Sequence, residues 1–257
     1  MILTLANVKG GVGKTTTAVN LGAAFARSGL RVLVVDLDPQ GSATYSLGIT
    51  GDESRPSTYD VLVEGLDAAA ACRATGMERL EAIPGSMELA GADLALARKK
   101  NPHRLLADAL ASVRRRYDVV MIDCPPGLSI LTVNGLVAGN GFIVPVVPHE
   151  LATEALTRFL AGWEKVRSET RARSSLLGIL LTMVDHRTVA TEEVARSLRR
   201  RYGRDVFRTE IPINVRLAEA PGFGLTIFEY ESWSTGAAAY ERLGGEAIRR
   251  CREAGLL

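Results

Sequence analysis

The chain predicts an α/β fold: a mostly parallel, twisted sheet with helices on both faces, in three α/β/α layers. Two observations carry this. First, an apolar run (Ile2, Leu3, Leu5, Ala6) leads into the glycine-rich stretch Asn7–Thr17 and then into a helical pattern (Ala18, Leu21, Ala24, Phe25). That order is strand, loop, helix. Second, Arg31–Asp36, Asp118–Asp123 and Phe142–Val147 are unbroken apolar runs, as expected of parallel strands buried on both faces. With 257 residues, 47% of them hydrophobic, the chain is long enough to bury a sizeable core, and one domain over residues 1–257 is predicted.

The glycine stretch is Asn7-Val8-Lys9-Gly10-Gly11-Val12-Gly13-Lys14-Thr15-Thr16-Thr17. Glycines leave room for backbone N–H groups to wrap a phosphate chain, and a helix starting near Thr15 points its positive end at the same anion. Lys14 then reaches the β- and γ-phosphates, and the Thr15 hydroxyl is placed to ligate Mg²⁺. Lys9, Gly10, Gly11, Val12, Gly13, Lys14, Thr15 and Thr16 form the predicted nucleotide-binding set.

The first helix ends near Ser28-Gly29. After the run to Asp36, Leu37–Thr44 is expected to be a loop at a strand's C-terminal end, where ligands bind in doubly wound sheets, so Asp36 and Asp38 should face the phosphates. Residues 58–62 and 89–94 predict short helices, 80–85 a strand with a turn, and 103–116 an amphipathic helix whose Arg114–Arg116 end complements the helix dipole. Asp123 closes the next apolar run in a Walker B arrangement and is expected to hold Mg²⁺ through water. Pro125, Pro126 and Gly127 shape the loop beyond it. Later elements are a helix over 151–168, a strand over 176–182, a helix over 189–202, a short strand over 206–211 and a last helix over 235–253.

Bulk numbers exclude several classes. No apolar run approaches the roughly 20 residues that span a membrane. The N-terminus runs straight into a strand, leaving no room for a signal peptide. Cys72, Cys124 and Cys251 lie far apart and form no CxxC pair, which favours a reducing cytoplasm over a cysteine metal site. The net charge is +2, divided as −1 over residues 1–150 and +3 over the rest, so any basic surface is a local patch.

The form Lys-Gly-Gly-x-Gly-Lys-Thr, with Val8 where the general Walker A loop has glycine, is the deviant Walker A motif. The chain resembles the ParA/MinD group of P-loop ATPases. The match extends over nearly the whole sequence: Asp-x-Asp-Pro-Gln-Gly at Asp36–Gly41, Asp-Cys-Pro-Pro at Asp123–Pro126, and Asn-Val-Arg-Leu-x-Glu-Ala-Pro at Asn214–Pro221. Tyr230, Gly236, Ala237 and Tyr240 continue it. Within the group it looks like a chromosomal ParA (Soj) partition ATPase.

The resemblance implies a weak ATPase that binds ATP/ADP and Mg²⁺ and forms an ATP-dependent homodimer. Lys9 would reach across the dimer to the other subunit's phosphates. Asp38, in switch I, would orient the attacking water, and Asp36 would sit near the magnesium. Pro212 and Asn214 match residues that contact adenine. Arg187 and Arg216 match arginines that bind double-stranded DNA without sequence preference. A ParB/Spo0J-like centromere-binding protein would be the activator, and the location would be cytoplasmic and nucleoid-associated. Ile213 stands where relatives often carry arginine, which removes one basic group from the implied DNA face. No helix-turn-helix precedes the loop, so operator-specific repression is not expected.

Three rivals share these motifs or some of them. A MinD-like ATPase acts at the membrane through an amphipathic C-terminal helix. The tail Ala247–Leu257 carries little bulky apolar surface, so no stable membrane association is expected. An electron-transfer protein like the nitrogenase iron protein needs cysteines arranged around a cluster. A regulator binding only protein, or positioning protein clusters, remains an alternative. From composition alone, Arg199–Arg201 are a solvated helix face.

Overall fold

The computed structural model describes residues 1–257. The strands are β1 (Ile2–Leu5), β2 (Val32–Asp36), β3 (Arg73–Ala74), β4 (Leu80–Ile83), β5 (Val119–Asp123), β6 (Gly141–Val146) and β7 (Ser175–Leu181). They form one sheet in the order β3-β4-β2-β5-β1-β6-β7, parallel except where the short β3 runs antiparallel along the β4 edge. The helices are α1 (Lys14–Arg27), α2 (Ser42–Ser46), α3 (Ala68–Ala71), α4 (Ala92–Ala97), α5 (Leu105–Leu110) and α6 (Ile130–Ala138). They continue with α7 (Ala152–Thr170), α8 (Val189–Tyr202), α9 (Val215–Glu219), α10 (Ile227–Tyr230) and α11 (Thr235–Glu253).

Every residue of β2 and of β5 is buried, as their unbroken apolar sequences require of strands covered on both faces. Alternate residues feed two cores. Leu33, Val35, Val120 and Ile122 join α5, α6, α7 and α8 in a cluster of 36 buried residues. Val32, Val34, Val119 and Met121 join α1, α10 and α11 in a second cluster of 32. The near-equal sizes make the sheet the middle of three layers. All strands but β3 end at one edge, and the loops there build the site.

Four segments depart from the sequence expectation. The loop at 37–44 closes into α2 at Ser42, and the helix expected at 89–94 splits into a 3₁₀ turn over Met87–Gly91 and then α4. The helix expected over 103–116 is regular only in α5. Beyond it, tightened turns bury Val113 and Tyr117 and deliver the chain into β5, so Arg114–Arg116 do not cap a helix. Residues 206–211 form no strand, only isolated bridges from Val206 to Ile179 and from Pro212 to Val184. The reason is Glu246 of α11: its carboxylate accepts the N–H groups of Arg208 (2.8 Å) and Thr209 (2.9 Å), which a ladder would need.

Helix α6 was not visible in the sequence, because its residues are apolar almost throughout and carry no clear helical period. Gly135 makes its position possible: a Cβ there would lie 2.7 Å from Cys124 Sγ, just past the end of β5. The Thr4 hydroxyl donates to the Gly135 carbonyl at 2.8 Å and pins α6 over β1.

Candidate nucleotide-phosphate site

Between β1 and α1 the chain turns through left-handed backbone at Gly11 (φ 69°) and Gly13 (φ 81°), which favours glycine at both places. Gly13 caps α1, so the first N–H groups of that helix open toward the loop. Two side chains, one at the start of the loop and one just past β7, hold the loop's shape. Asn7 Nδ2 donates to the Pro145 carbonyl (2.7 Å) while its Oδ1 accepts the Lys9 N–H (3.1 Å). At the other side the Thr182 hydroxyl donates to the Val12 carbonyl at 2.9 Å.

Lys14 is buried, and its ammonium donates to the Lys9 carbonyl at 3.0 Å. Burial pulls its pKa down, and the charge of Asp123 opposes this. The Thr15 hydroxyl donates to Asp123 Oδ2 at 2.6 Å. The other carboxylate oxygen of Asp123 is buried with no hydrogen-bond partner. Asp123 stands directly across the β2–β5 ladder from Asp36. Burial, and then the charge of Asp36, raise the Asp123 pKa well above the usual carboxylate range.

Asp36 is buried and fully engaged. Its Oδ2 accepts the Thr44 N–H (2.9 Å) and hydroxyl (2.7 Å), and its Oδ1 accepts the Asp38 N–H (3.0 Å). Burial pushes Asp36 up to about 6, against the pull of the Thr44 bonds. Asp36 therefore braces the loop that carries Asp38. Gly85, after β4, completes the brace: its N–H donates to the Thr44 hydroxyl at 2.8 Å, and a Cβ on it would sit 2.8 Å from both Asp36 Cγ and the Asp38 carbonyl oxygen.

The loop opens on a cleft of about 860 Å³, within the range of small-molecule sites, which Asp36 and Asp123 do not themselves line. Gly10, Gly11, Gly13, Lys14, Thr15 and Thr16 form its floor, Asp38 and Gln40 one wall, and Pro125, Pro126 and Ser129 another. Met183, in left-handed backbone at φ 51°, and Pro221 reach it from the far side. The donor set suits Mg²⁺: a hydroxyl and a buried carboxylate with one unpartnered oxygen, all hard oxygen donors, beside an ammonium and open helix N–H groups.

The remaining expected residues lie apart from this cleft or point elsewhere. Asn214 caps α9 by accepting the Leu217 N–H (3.1 Å), and its amide donates to Thr235 Oγ1 (2.8 Å); neither it nor Pro212 lines the cleft. Arg187 is 85% exposed and pairs with Asp185 through two bonds of 2.8 and 2.9 Å. Arg216 pairs with Glu219 at 2.8 Å and lies 3.8 Å from Glu231. The Lys9 ammonium extends to His149. Cys124 is buried, and burial pushes its thiol well up, as suits a packing residue rather than a nucleophile.

Thr44, Gly85, Asn7 and Thr182 are the site residues the sequence did not single out. They act through hydrogen bonds and close approaches, and no spacing rule marks such residues.

A glycine loop with a buried lysine, a hydroxyl–carboxylate pair beside it and a second carboxylate one strand away define a P-loop nucleotide-binding protein on an α/β sheet. Comparison with known proteins narrows this. The AAA domain family model matches residues 1–176. The chromosome-partitioning ATPase Soj of Thermus thermophilus is 44% identical over 256 residues, covering 98% of this chain and 97% of its own. The sporulation initiation inhibitor protein Soj of Bacillus subtilis is 41% identical over 245 residues, 95% of this chain and 97% of its own. Among solved structures, cobyrinic acid a,c-diamide synthase from Mycobacterium smegmatis with bound ADP and magnesium has a TM-score of 0.85. It is 36% identical, with 99% of this chain and 96% of that chain covered. The chain belongs to the ParA/Soj family of chromosome-partitioning ATPases, within the ParA/MinD group of P-loop proteins.

Proposed function

We propose that residues 1–257 act as one DNA-partition ATPase of chromosome or plasmid segregation. The ATP-bound dimer holds DNA without sequence preference and releases it on hydrolysis, which a ParB-like partner stimulates. The observation that carries the nucleotide part is Asp123. It is a buried carboxylate with one oxygen on Thr15 and the other unpartnered, beside the buried ammonium of Lys14. A carboxylate so placed is costly to ionise unless a cation joins it.

When bound at Thr15 and Asp123, Mg²⁺ would neutralise phosphate charge. The residues do the rest. The loop N–H groups from Gly10 to Thr16 bind the phosphates, and Lys14 places its charge on the β- and γ-oxygens. Asp38, on the loop braced by Asp36, Thr44 and Gly85, orients water for in-line attack on the γ-phosphate. Lys9 adds a positive charge from the opposite protomer. Arg187 and Arg216 exchange their carboxylate partners for DNA phosphates on binding. Pro212 and Asn214 lie on the α9 approach, from which an adenine could be reached after closure.

One observation supports DNA over a membrane as the surface bound. The apolar face of α11 is spent on the core, with Tyr240, Leu243, Ala247 and Cys251 all buried. No helix of the chain is long and apolar enough to cross a membrane.

The test is binding to arbitrary-sequence duplex DNA with ATP, with ADP and without nucleotide, across a salt series. The expected result is ATP-dependent, salt-sensitive binding, kept by Asp38→Ala and lost in Arg216→Glu. No binding in any state at low salt, with dimerisation intact, overturns the DNA reading. ATP-dependent sedimentation with anionic liposomes would favour the membrane-associated reading instead.

A further inference from the structure

Lys9, which the proposed mechanism sends across a dimer interface, is held here by its own chain at two points. Its N–H is tied through Asn7 to the Pro145 carbonyl near the end of β6. Its ammonium donates to Nε2 of His149, three residues past β6 and three before α7. Both tethers run to the same segment because β1 and β6 are adjacent parallel strands that end at the site edge.

An imidazole accepts at Nε2 only when it is neutral, with its proton on Nδ1. Lys9 is the one charged side chain whose field acts on His149, and Glu150, beside it in the chain, is exposed. Burial and then the Lys9 charge hold the His149 pKa below the ordinary value of 6.5. At neutral pH the ring is therefore competent to hold the lysine.

We propose that His149 is a positioning residue for Lys9, retaining the ammonium on its own protomer until the ATP-driven dimer draws the lysine to the partner's nucleotide. This rests on the trans role of Lys9 in the function proposed above. The consequence is a linkage. Departure of Lys9 removes the charge that disfavours the imidazolium, so the His149 pKa rises on closure. Closure then takes up a proton in the window between the lowered value and the ordinary one, and mild acid favours it through this group.

The chain has three histidines, so imidazole proton signals can be followed singly by NMR. The His149 titration should sit below 6.5 in the wild-type protein and move up in Lys9→Gln. The second arm measures Mg·ATP-dependent dimerisation by analytical ultracentrifugation on an Asp38→Ala background, between about pH 5.5 and 7.5. Two imidazoles take up protons per dimer, so each tenfold gain in the proton affinity of His149 tightens closure about a hundredfold at the acid end. His149→Gln still accepts a hydrogen bond but does not titrate, and its profile should lack that tightening. Asp36 also titrates near 6, so the readout is the difference between the two proteins. A His149 titration unmoved by Lys9→Gln, or superimposable pH profiles, overturns the proposal. If no dimer forms with ATP at any pH, the trans role of Lys9 falls and this proposal falls with it. A dimer whose profile is indifferent to His149 removes the proposal alone.

Discussion

Thr44→Val tests the brace behind the Asp38 loop. The Thr44 hydroxyl donates to Asp36 Oδ2 at 2.7 Å and accepts the Gly85 N–H at 2.8 Å. Valine keeps the shape and removes both bonds. A hydrogen bond to an ionised carboxylate is worth about 1.5–3 kcal/mol, and leaving the buried Gly85 N–H unpaired costs about 1–3 kcal/mol. The two share one atom and do not add, so a loss of about 3 kcal/mol near neutral pH is expected. The loss should depend on pH. Asp36 is raised from 3.8 to about 6 in the folded protein, so its contribution to stability is fully present below 3.8 and is lost as pH rises through about 6. The Thr44 bonds pull that value down, so valine raises it further and extends the loss into the neutral range. Urea unfolding of the nucleotide-free protein, followed by circular dichroism at about pH 5 and about pH 7.5, reads the effect. A loss under about 1 kcal/mol at neutral pH, or equal losses at both, would refute the brace.

Other outcomes follow from the same geometry. Asp123→Asn should raise nucleotide-free stability near neutral pH by about 1 kcal/mol, because burial and Asp36 make ionised Asp123 costly. The same variant should lose the Mg²⁺-dependent part of the thermal shift with ATP; scanning fluorimetry reads both. Gly224→Ala should destabilise by about 2–4 kcal/mol, since φ there is 66° and the new Cβ would lie 2.6 Å from Gly48 Cα, backbone against backbone. Denaturant titration measures it, and a neutral result would mean the two loops are not in contact. Asp185→Asn frees the exposed Arg187 and should tighten ATP-dependent DNA binding about threefold with a steeper salt slope, read by fluorescence anisotropy.

Much of this architecture was legible because its signals are local and repeat. The runs that became β2 and β5 need burial on both faces, and only a covered parallel sheet supplies it. The glycine loop announced itself by residues that tolerate positive φ, and α8 and α11 begin and end where their patterns do. What was hidden depends on distant partners. The segment 206–211 has the composition of a strand, and Glu246, 37 and 38 residues away, takes its N–H groups. Asp36 was expected beside the magnesium, and nothing local says that Thr44 and the Asp38 N–H occupy its oxygens. The arginines at 187 and 216 were expected on a DNA face, and their carboxylate partners three residues or fewer away were in plain view. Sequence alone could not say whether those pairs close, because the backbone turn between them decides it.

The same contacts suggest how the two halves of the site communicate. Asp123 and Asp36 face each other across the β2–β5 ladder, both buried, and the Asp36 charge adds to the cost of ionising Asp123. A divalent cation held at Asp123 would lower that cost, and so would favour Asp36 as an ionised acceptor. Asp36 would then hold the Thr44 hydroxyl and the Asp38 N–H more tightly, because hydrogen bonds to a charged acceptor are about twice as strong as neutral ones. Charge at the metal side would thereby be converted into order at Asp38, through three hydrogen bonds. Thr44→Val cuts that chain at its middle, so it should lower the hydrolysis rate far more than it weakens ATP binding. Equal losses in both would mean that the carboxylate pair only folds the loop and does not couple the two sides.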